Sequence, residues 1–174
     1  MKKDFVMPIA VLTLICLVVT GALAMMNSVT HPIIEAAATE RAFATMNEKI
    51  PHATGFVPVG AEGLPRSIRA AYRTENDVGY IFIVSVNGFS GEIRVMTAID
   101  PDGRIISSAT LSHSETRGIG TVIDDAGFTG QFDGLDSSLE GVSAVTGATI
   151  TTVAYIAAVE EAFGALEIIR GGIR

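Results

Sequence analysis

The 174 residues of this chain are 48% hydrophobic and carry 12 lysines and arginines against 19 aspartates and glutamates. The mean hydropathy of +0.44 is high for a globular domain, because one uncharged segment, residues 5–26, holds the excess. Residues 27–174 suffice for one domain but not for separate cofactor and substrate domains, and their net charge of −8 argues against nucleic-acid binding.

The only cysteine, Cys16, lies inside the apolar segment. The part of the chain that follows this segment therefore has no disulfide, no cysteine-ligated zinc and no iron–sulfur cluster of its own. Any redox chemistry there must come from an organic cofactor.

Residues 5–26 predict a transmembrane helix. These 22 residues, at about 1.5 Å each, cover the roughly 30 Å of a hydrocarbon core. Lys2 and Lys3 precede the segment, and the next lysine or arginine is Arg41. The positive-inside rule predicts a single-pass protein of the cell membrane, with residues 1–4 cytoplasmic and the carboxyl-terminal domain extracytoplasmic.

A cleaved signal peptide is the alternative for this segment. Ala22-Leu23-Ala24 has the small-x-small form of a cleavage site. The apolar run is longer than the usual signal-peptide core of about 7 to 15 residues. The length therefore favours an uncleaved anchor in contact with membrane lipid.

The next part of the chain predicts a helical stalk at residues 27–50. Residues 32–50 form a helical pattern whose apolar face contains Ile33, Ala37, Phe43 and Met46. Residues 51–65 are rich in glycine and proline, which predicts a loop or an irregular strand.

A β-hairpin is the clearest signal in the sequence. Two β-rich runs, residues 80–86 and 93–99, flank Asn87-Gly88, which favours an antiparallel pair around an Asn-Gly turn. Asp100-Pro101-Asp102-Gly103 is a second turn signal, and residues 105–112 predict a third strand. Consecutive strands joined by turns predict a meander rather than a βαβ series.

Residues 149–170 predict a final helix, because apolar residues recur at helical spacing at Ile156, Val159, Phe163 and Leu166. Strands followed by a packed helix indicate an α+β domain with an antiparallel sheet. The sequence lacks the glycine-rich motifs of dinucleotide-binding and P-loop folds, so we do not expect a doubly wound architecture.

Residues 111–120 form a polar loop with glycines at Gly118 and Gly120. Glycines allow positive φ or a close backbone approach to a ligand, and the surrounding amides could bind a carbonyl-rich ring. The alternative is a solvated connection between the third strand and a helix.

Residues 146–152, Thr-Gly-Ala-Thr-Ile-Thr-Thr, lead into the final helix. Hydroxyls, very small residues and unpaired amides at a helix start together attract a phosphate. The alternative is an ordinary N-cap, in which Thr146 or Thr149 bonds the first-turn amides.

Other catalytic patterns are absent from the sequence. His31, His52 and His113 stand apart, without the spacing of a metal site. Ser114 beside His113 is not a triad, because adjacent side chains on an extended chain point to opposite faces. We therefore expect no metal centre and no hydrolytic activity.

The loop and the threonine-rich stretch together resemble the FMN-binding domain family, found in the G subunit of the Rnf electron-transport complex and the C subunit of the sodium-translocating NADH:quinone reductase. The family loop H-x-E-T-P-G-L-G is matched by HSETRGIG at residues 113–120. The family flavinylation motif D-x-x-[ST]-G-A-[ST] is matched by SAVTGAT at residues 143–149. Gly79-Tyr80 and the Gly88-Phe89-Ser90-Gly91 segment also fit, and the compact length favours the Rnf member.

The resemblance implies an FMN-binding domain at residues 51–174, with FMN bound covalently as a phosphoester of Thr149. It places further flavin contacts at Glu115, Thr116, Gly118, Ile119, Gly120, Thr146, Gly147 and Ala148. Two residues depart from the family motifs. Arg117 replaces the loop proline and puts a cation near the expected flavin, and Ser143 replaces the aspartate of the motif that the flavin transferase recognises.

The function implied is that of a membrane-anchored electron-relay subunit of an ion-translocating ferredoxin:NAD oxidoreductase, with other Rnf subunits and a flavin transferase as partners. The chain has no complete active site of its own. The alternatives are the C subunit of a sodium-translocating NADH:quinone reductase, or an extracytoplasmic flavin-binding or sensory module outside any such complex.

Overall fold

The computed structural model describes residues 2–50, 52–60 and 63–172, without the side chains of residues 2–6, 31–40 and 172. The chain divides into two compact units, residues 1–40 and 41–174. Helix α1, Lys2–Lys49, runs through the first unit and into the second.

The first unit consists of the amino-terminal part of α1. Its segment Met7–Thr30 has a mean hydropathy of 2.6 and exposed side chains, and among the described residues it is the one helix segment apolar and long enough to cross a membrane. Helix α1 continues from this segment through residues 32–49, for which the sequence predicts a helix, and it includes Pro32. Ile33 and Ala37, on the predicted stalk face, lie outside the described side chains.

The second unit is built on a five-stranded antiparallel sheet in the order β1-β2-β3-β4-β5. The strands are β1 Phe56–Pro58, β2 Ile68–Thr74, β3 Tyr80–Asn87, β4 Glu92–Ile99 and β5 Ile105–His113. Each strand pairs with the next one along the chain, which confirms the predicted meander and the α+β class. Strands β3 to β5 are the three strands that the sequence predicts.

The sequence pattern does not predict strand β2. Arg69 and Arg73 make this strand polar, and a bulge between Ile68 and Ala70 interrupts the inside–outside alternation that identifies a strand. Strand β1 falls within the stretch for which we predicted a loop or irregular strand. It lies at the sheet edge and ends at Pro58, where a missing N–H is tolerated.

The turns before and after β4 have different lengths and hydrogen bonding. Asn87 pairs with Glu92, so the β3–β4 turn comprises residues 88–91 and contains the predicted Gly88, while Asn87 ends strand β3. In the following turn the Gly103 N–H donates to the Asp100 carbonyl (3.1 Å), and Gly103 has φ +85°, as the predicted turn requires.

Both faces of the sheet are covered within the second unit. Helix α3, Thr149–Gly172, packs on one face, to which Phe82 points. Ile81 and Ile83 point to the other face, where Met46 from the last turns of α1 packs. Because both faces are buried, the central strands are nearly continuous apolar runs.

Short helical turns fill the space between β5 and α3. They are the 3₁₀ turn Gly120–Asp124, helix α2 Ala126–Thr129 and the 3₁₀ turn Gly130–Phe132. Elements this short have no periodicity to reveal them in the sequence. They bring Phe128 and Phe132 against Tyr155 of α3, with ring centroids 5.3 and 5.4 Å from the Tyr155 ring.

Candidate functional site

A cavity of about 350 Å³ opens where three segments of the second unit meet. The segments are the β3–β4 turn, the loop after β5 and the start of α3. The lining residues are Phe89, Glu115, Thr116, Ile119, Gly120, Gly147, Ala148, Thr149, Ile150 and Thr151. Its volume lies at the lower end of the range of small-molecule and cofactor sites.

The fold brings together the two stretches that the sequence singled out, although they lie about 30 residues apart. Most of the predicted flavin-contact residues line the cavity, and Gly118 and Thr146 do not. Gly118 has φ +79°, and its N–H donates to the Thr121 hydroxyl (3.1 Å), so it shapes the loop. The contacts of these residues with a flavin stay predictions.

The sequence did not predict three of the lining residues: Phe89, Ile150 and Thr151. Phe89 lies in the Gly88-Phe89-Ser90-Gly91 turn, which fits the family resemblance without being a predicted flavin contact, and Ile150 and Thr151 lie in the threonine-rich stretch. Phe89 and Ile150 are 68% and 58% exposed, and Ile119 is 56% exposed, so the cavity mouth carries large apolar side chains that a globular surface usually hides.

The start of α3 is not capped in the ordinary way. Thr149 is the first helical residue, so the capping position falls to Ala148, whose side chain has no hydrogen-bonding atom. Among the described residues, neither Thr146 nor Thr149 bonds a first-turn amide, as the alternative interpretation required. Amides at the first turn of a 24-residue helix therefore remain available to an anion.

Thr149 and Thr152 differ in their surroundings. The Thr152 hydroxyl is buried, donates to the Ala148 carbonyl (2.9 Å) and accepts the Val145 N–H (3.2 Å). Thr149 is exposed at the cavity wall, and its hydroxyl makes no hydrogen bond within the described part of the chain. Gly147, with φ +89°, turns the chain into the helix beside it.

Glu115 is the one charged side chain among the described residues that line the cavity, and it is 7% exposed. Its Oε1 accepts the Ser90 N–H (2.9 Å), and its Oε2 accepts the Thr151 hydroxyl (2.6 Å). Burial acts to raise the pKa of Glu115, but the bonds from Thr151 and from the amides of Ser90, Phe89 and Gly91 hold it below the ordinary value. The carboxylate is therefore ionised at neutral pH.

His113 ends strand β5 outside the cavity lining. Its Nδ1 accepts the Glu115 N–H (3.0 Å), so in the neutral ring the proton lies on Nε2, which is 2.9 Å from Asp124 Oδ2. Both ring nitrogens thus hold the loop in place. This arrangement fits our interpretation of His113 as a loop histidine rather than a catalytic base.

The two residues that depart from the family motifs are both exposed. Arg117 does not line the cavity. The Ser143 N–H and hydroxyl both donate to the Gln131 side-chain oxygen, at 3.2 and 3.4 Å.

Within the described residues, no group of three or more His, Cys, Asp or Glu side chains could hold a metal ion.

Comparison with known proteins identifies the family. Residues 88–164 match the FMN-binding domain family. The G subunit of the ion-translocating oxidoreductase complex of Methanosarcina acetivorans is 30% identical over 176 residues, which cover 92% of this chain and 94% of that protein. The G subunit of the proton-translocating ferredoxin:NAD(+) oxidoreductase complex of Clostridium ljungdahlii is 28% identical over 171 residues, covering 92% and 91%. The corresponding protein of Vibrio parahaemolyticus, also a G subunit of an ion-translocating oxidoreductase complex, is 38% identical over 90 residues, covering 44% and 43%.

The matches therefore extend from the apolar helix through the sheet and the cavity, and the FMN-binding match spans the turn, the loop and the start of α3 that form the cavity. This chain belongs to the family of G subunits of ion-translocating oxidoreductase complexes.

Proposed function

We propose that this chain is a membrane-anchored flavoprotein subunit that relays electrons through covalently bound FMN within an ion-translocating ferredoxin:NAD oxidoreductase complex. The observation that supports it most is the cavity in which the free hydroxyl of Thr149, at an uncapped helix start, meets the loop 115–120. FMN would supply the electron-transfer chemistry, and the chain would bind, orient and shield it.

Thr149 is suited to carry the phosphate. In a balanced transfer the Thr149 oxygen forms a P–O bond to the phosphorus of an activated flavin phosphate, such as a flavin dinucleotide. The bond from that phosphorus to its leaving group breaks, and the hydroxyl proton goes to the leaving group, so the chain gains one FMN less one water. The diester keeps one negative charge, which a helix amino terminus stabilises by about 0.3 to 1 kcal/mol. The exposure of Thr149 and the small side chains of Gly147 and Ala148 leave room for a flavin transferase.

The rest of the cavity suits the ring system. Phe89, Ile119 and Ile150 offer apolar surface at the mouth, and the hydroxyl of Thr116, 3.3 Å from Ser90 Oγ, offers a polar group at the wall. Such apolar walls with few polar groups are typical of cofactor sites. In this proposal Gly118 and Thr146 contact the flavin or its phosphate from just outside the present lining.

The chain would perform one step of a longer reaction. Its sequence has no dinucleotide-binding motif and no cysteine after Cys16 to ligate an iron–sulfur cluster, so the NAD chemistry and the rest of the reaction belong to partner subunits. We propose residues 1–4 as cytoplasmic, 5–26 as the transmembrane segment, 27–50 as the stalk and 51–174 as the extracytoplasmic FMN-binding domain. An apolar segment without charges serves as an anchor in lipid rather than an ion path.

The test is co-expression of the full chain with a flavin transferase, followed by denaturing electrophoresis and intact-mass measurement. The wild-type band should fluoresce and gain the mass of one FMN less one water. Thr149→Ala should lose both signals, and the matched control Thr149→Ser should keep them because it retains the hydroxyl. A fluorescent Thr149→Ala band would disprove attachment at this residue, and an unmodified wild-type mass would favour the noncovalent flavin-binding or sensory module.

A further inference from the structure

Glu115 joins all three segments that enclose the cavity. It belongs to the loop after β5, its Oε1 accepts the N–H of Ser90 in the β3–β4 turn, and its Oε2 accepts the hydroxyl of Thr151 in the first turn of α3. Both partners approach within hydrogen-bond distance, at 2.9 and 2.6 Å. One buried carboxylate thus fixes the relative position of the cavity walls.

The surrounding backbone is fitted to this side chain. A Cβ added to Gly88 would lie 2.4 Å from Glu115 Oε1, and one added to Gly120 would lie 2.6 Å from Glu115 Cβ. The turn and the loop can therefore close on Glu115 only because both positions are glycine. The backbone amides of the turn donate hydrogen bonds to the carboxylate and so form an anion-binding site for it.

The charge of Glu115 is held by these dipoles rather than by a cation. Glu92, on the neighbouring strand, is paired with Arg69 (3.0 Å), and His113 is paired with Asp124 (2.9 Å). The part of α3 that faces the loop has no charged residue before Glu160, and Arg117 is exposed and lies outside the cavity lining. The hydrogen bonds from Thr151 and from the amides of the 88–91 turn therefore offset the free-energy cost of burying the charged carboxylate.

We propose that Glu115 is a positioning residue, which governs FMN attachment through Thr151 and the 88–91 turn rather than by hydrogen bonding to the flavin. Thr151 lies two residues after Thr149 in the same helical turn, so holding Thr151 fixes the place where the Thr149 hydroxyl meets the cavity. The role of Glu115 in FMN attachment rests on the proposed function. The hydrogen bonds that join Glu115 to Ser90 and Thr151 are independent of that function.

The test is a double-mutant cycle on the full-length chain with Glu115→Gln, Thr151→Val and the double variant, and with Thr151→Ser as the conservative control. Each single variant should slow FMN attachment by about tenfold or more, because each breaks a buried hydrogen bond to a charged group. The double variant should be no slower than the slower single variant, since both changes break one contact. Thr151→Ser keeps the hydroxyl and should retain the wild-type rate.

The flavin-loaded variants provide a second readout. If Glu115 only positions, the flavin absorption spectrum of Glu115→Gln should match that of Thr151→Val. A shift in Glu115→Gln alone, or attachment losses that multiply in the double variant, would show that Glu115 acts on the flavin directly and would overturn the proposal.

The same cycle on the unflavinylated full-length chain in detergent separates this proposal from the proposed function. The urea midpoints should show coupling between positions 115 and 151, and the Ser90 amide should exchange its hydrogen faster in Glu115→Gln. Absence of coupling would refute the contact even if FMN attachment occurs. Coupling without any FMN attachment to the wild-type chain would refute the proposed function, and with it the role of Glu115 in attachment.

Discussion

At the scale of single residues, the threonines at the start of α3 illustrate how packing separates identical chemistry. Thr151 donates to Glu115, and Thr152 donates to the Ala148 carbonyl. Thr149 is the exposed one, with its hydroxyl free among the described residues. The sequence offers similar hydroxyls at these positions, and burial decides which two are committed to structure.

Glu115 also gives the second unit a specific response to acid. Its pKa is lowered from 4.5 in the folded chain, so the unfolded chain binds the proton more tightly. Its stabilising contribution is therefore complete above about pH 4.5 and is lost as the pH falls through the lowered pKa. The free energy of unfolding should fall in this range, and Glu115→Gln should make that fall shallower.

Urea unfolding of the full-length chain in detergent at several pH values measures this effect. Glu92 and Asp136 also have lowered pKa values, so part of the acid dependence should remain in the variant. The control is Glu160→Gln, which changes an exposed carboxylate on α3 and should retain the wild-type slope. If the free energy of unfolding fell equally steeply with pH in Glu115→Gln and in wild type, the lowered pKa of Glu115 would be contradicted.

At the scale of elements, α3 both closes the core and forms a wall of the site. Its first turn lines the cavity, and its later turns bury Val159, Phe163 and Leu166 against the sheet. These three positions were predicted from helical spacing, whereas Ile156 is only partly buried and Tyr155 is fully buried instead. Tyr155 reaches inward because the short helical turns after β5 supply Phe128 and Phe132 to pack on it.

Tyr155 should therefore stabilise the fold mainly through packing. Its hydroxyl lies 2.8 Å from Ser108 Oγ, and burial raises its pKa, so it stays neutral. Tyr155→Phe should lower the free energy of unfolding by about 0.5 to 1.5 kcal/mol, and Tyr155→Ala by about 3 to 5 kcal/mol. Urea unfolding measures both.

The matched control for Tyr155→Phe is Tyr80→Phe, because Tyr80 is half-buried on β3 and its hydroxyl has no hydrogen bond within the described residues. This change should leave the urea midpoint nearly unchanged. If Tyr155→Phe cost as much as Tyr155→Ala, the hydrogen bond rather than the aromatic packing would dominate.

At the scale of the whole molecule, one charge pattern bears on orientation. Lys2 and Lys3 precede the apolar segment, and the domain after it is acidic. The positive-inside rule predicts that the basic end lies in the cytoplasm. Cys16 is the only cysteine, so its removal leaves a background for site-specific labelling.

In a Cys16→Ser background, Ser137→Cys should react with a membrane-impermeant maleimide added to intact cells, because residue 137 is exposed on the second unit, for which we propose an extracytoplasmic location. Asp4→Cys is the paired control, because it keeps both lysines, and it should react only after the membrane is permeabilised. Mass spectrometry of the purified chain measures both reactions. The opposite labelling pattern would show that the chain has the opposite orientation in the membrane and would contradict the proposed topology.

Local features of the fold were predictable from the sequence because they depend on neighbouring residues. The hairpin strands, the Asp100 turn and α3 follow from β-propensity, turn chemistry and helical periodicity. Strand β2 and the short helical turns after β5 were not predictable from the sequence. Arg69 and Arg73 make β2 too polar to show a strand pattern, and the helical turns are too short to show a periodic one. Strand β2 forms by pairing with β3, and the short helical turns are held by packing around Tyr155.

The sequence by itself determined the apolar segment, the order of the main elements and the two motifs, including Thr149 as the expected attachment residue. Only the tertiary structure decided that the loop, the threonine-rich stretch and the 88–91 turn share one cavity. It also decided that Glu115 faces Ser90 and Thr151. The physical reason is that burial and hydrogen bonding join residues far apart in the chain, and neither composition nor spacing encodes such contacts.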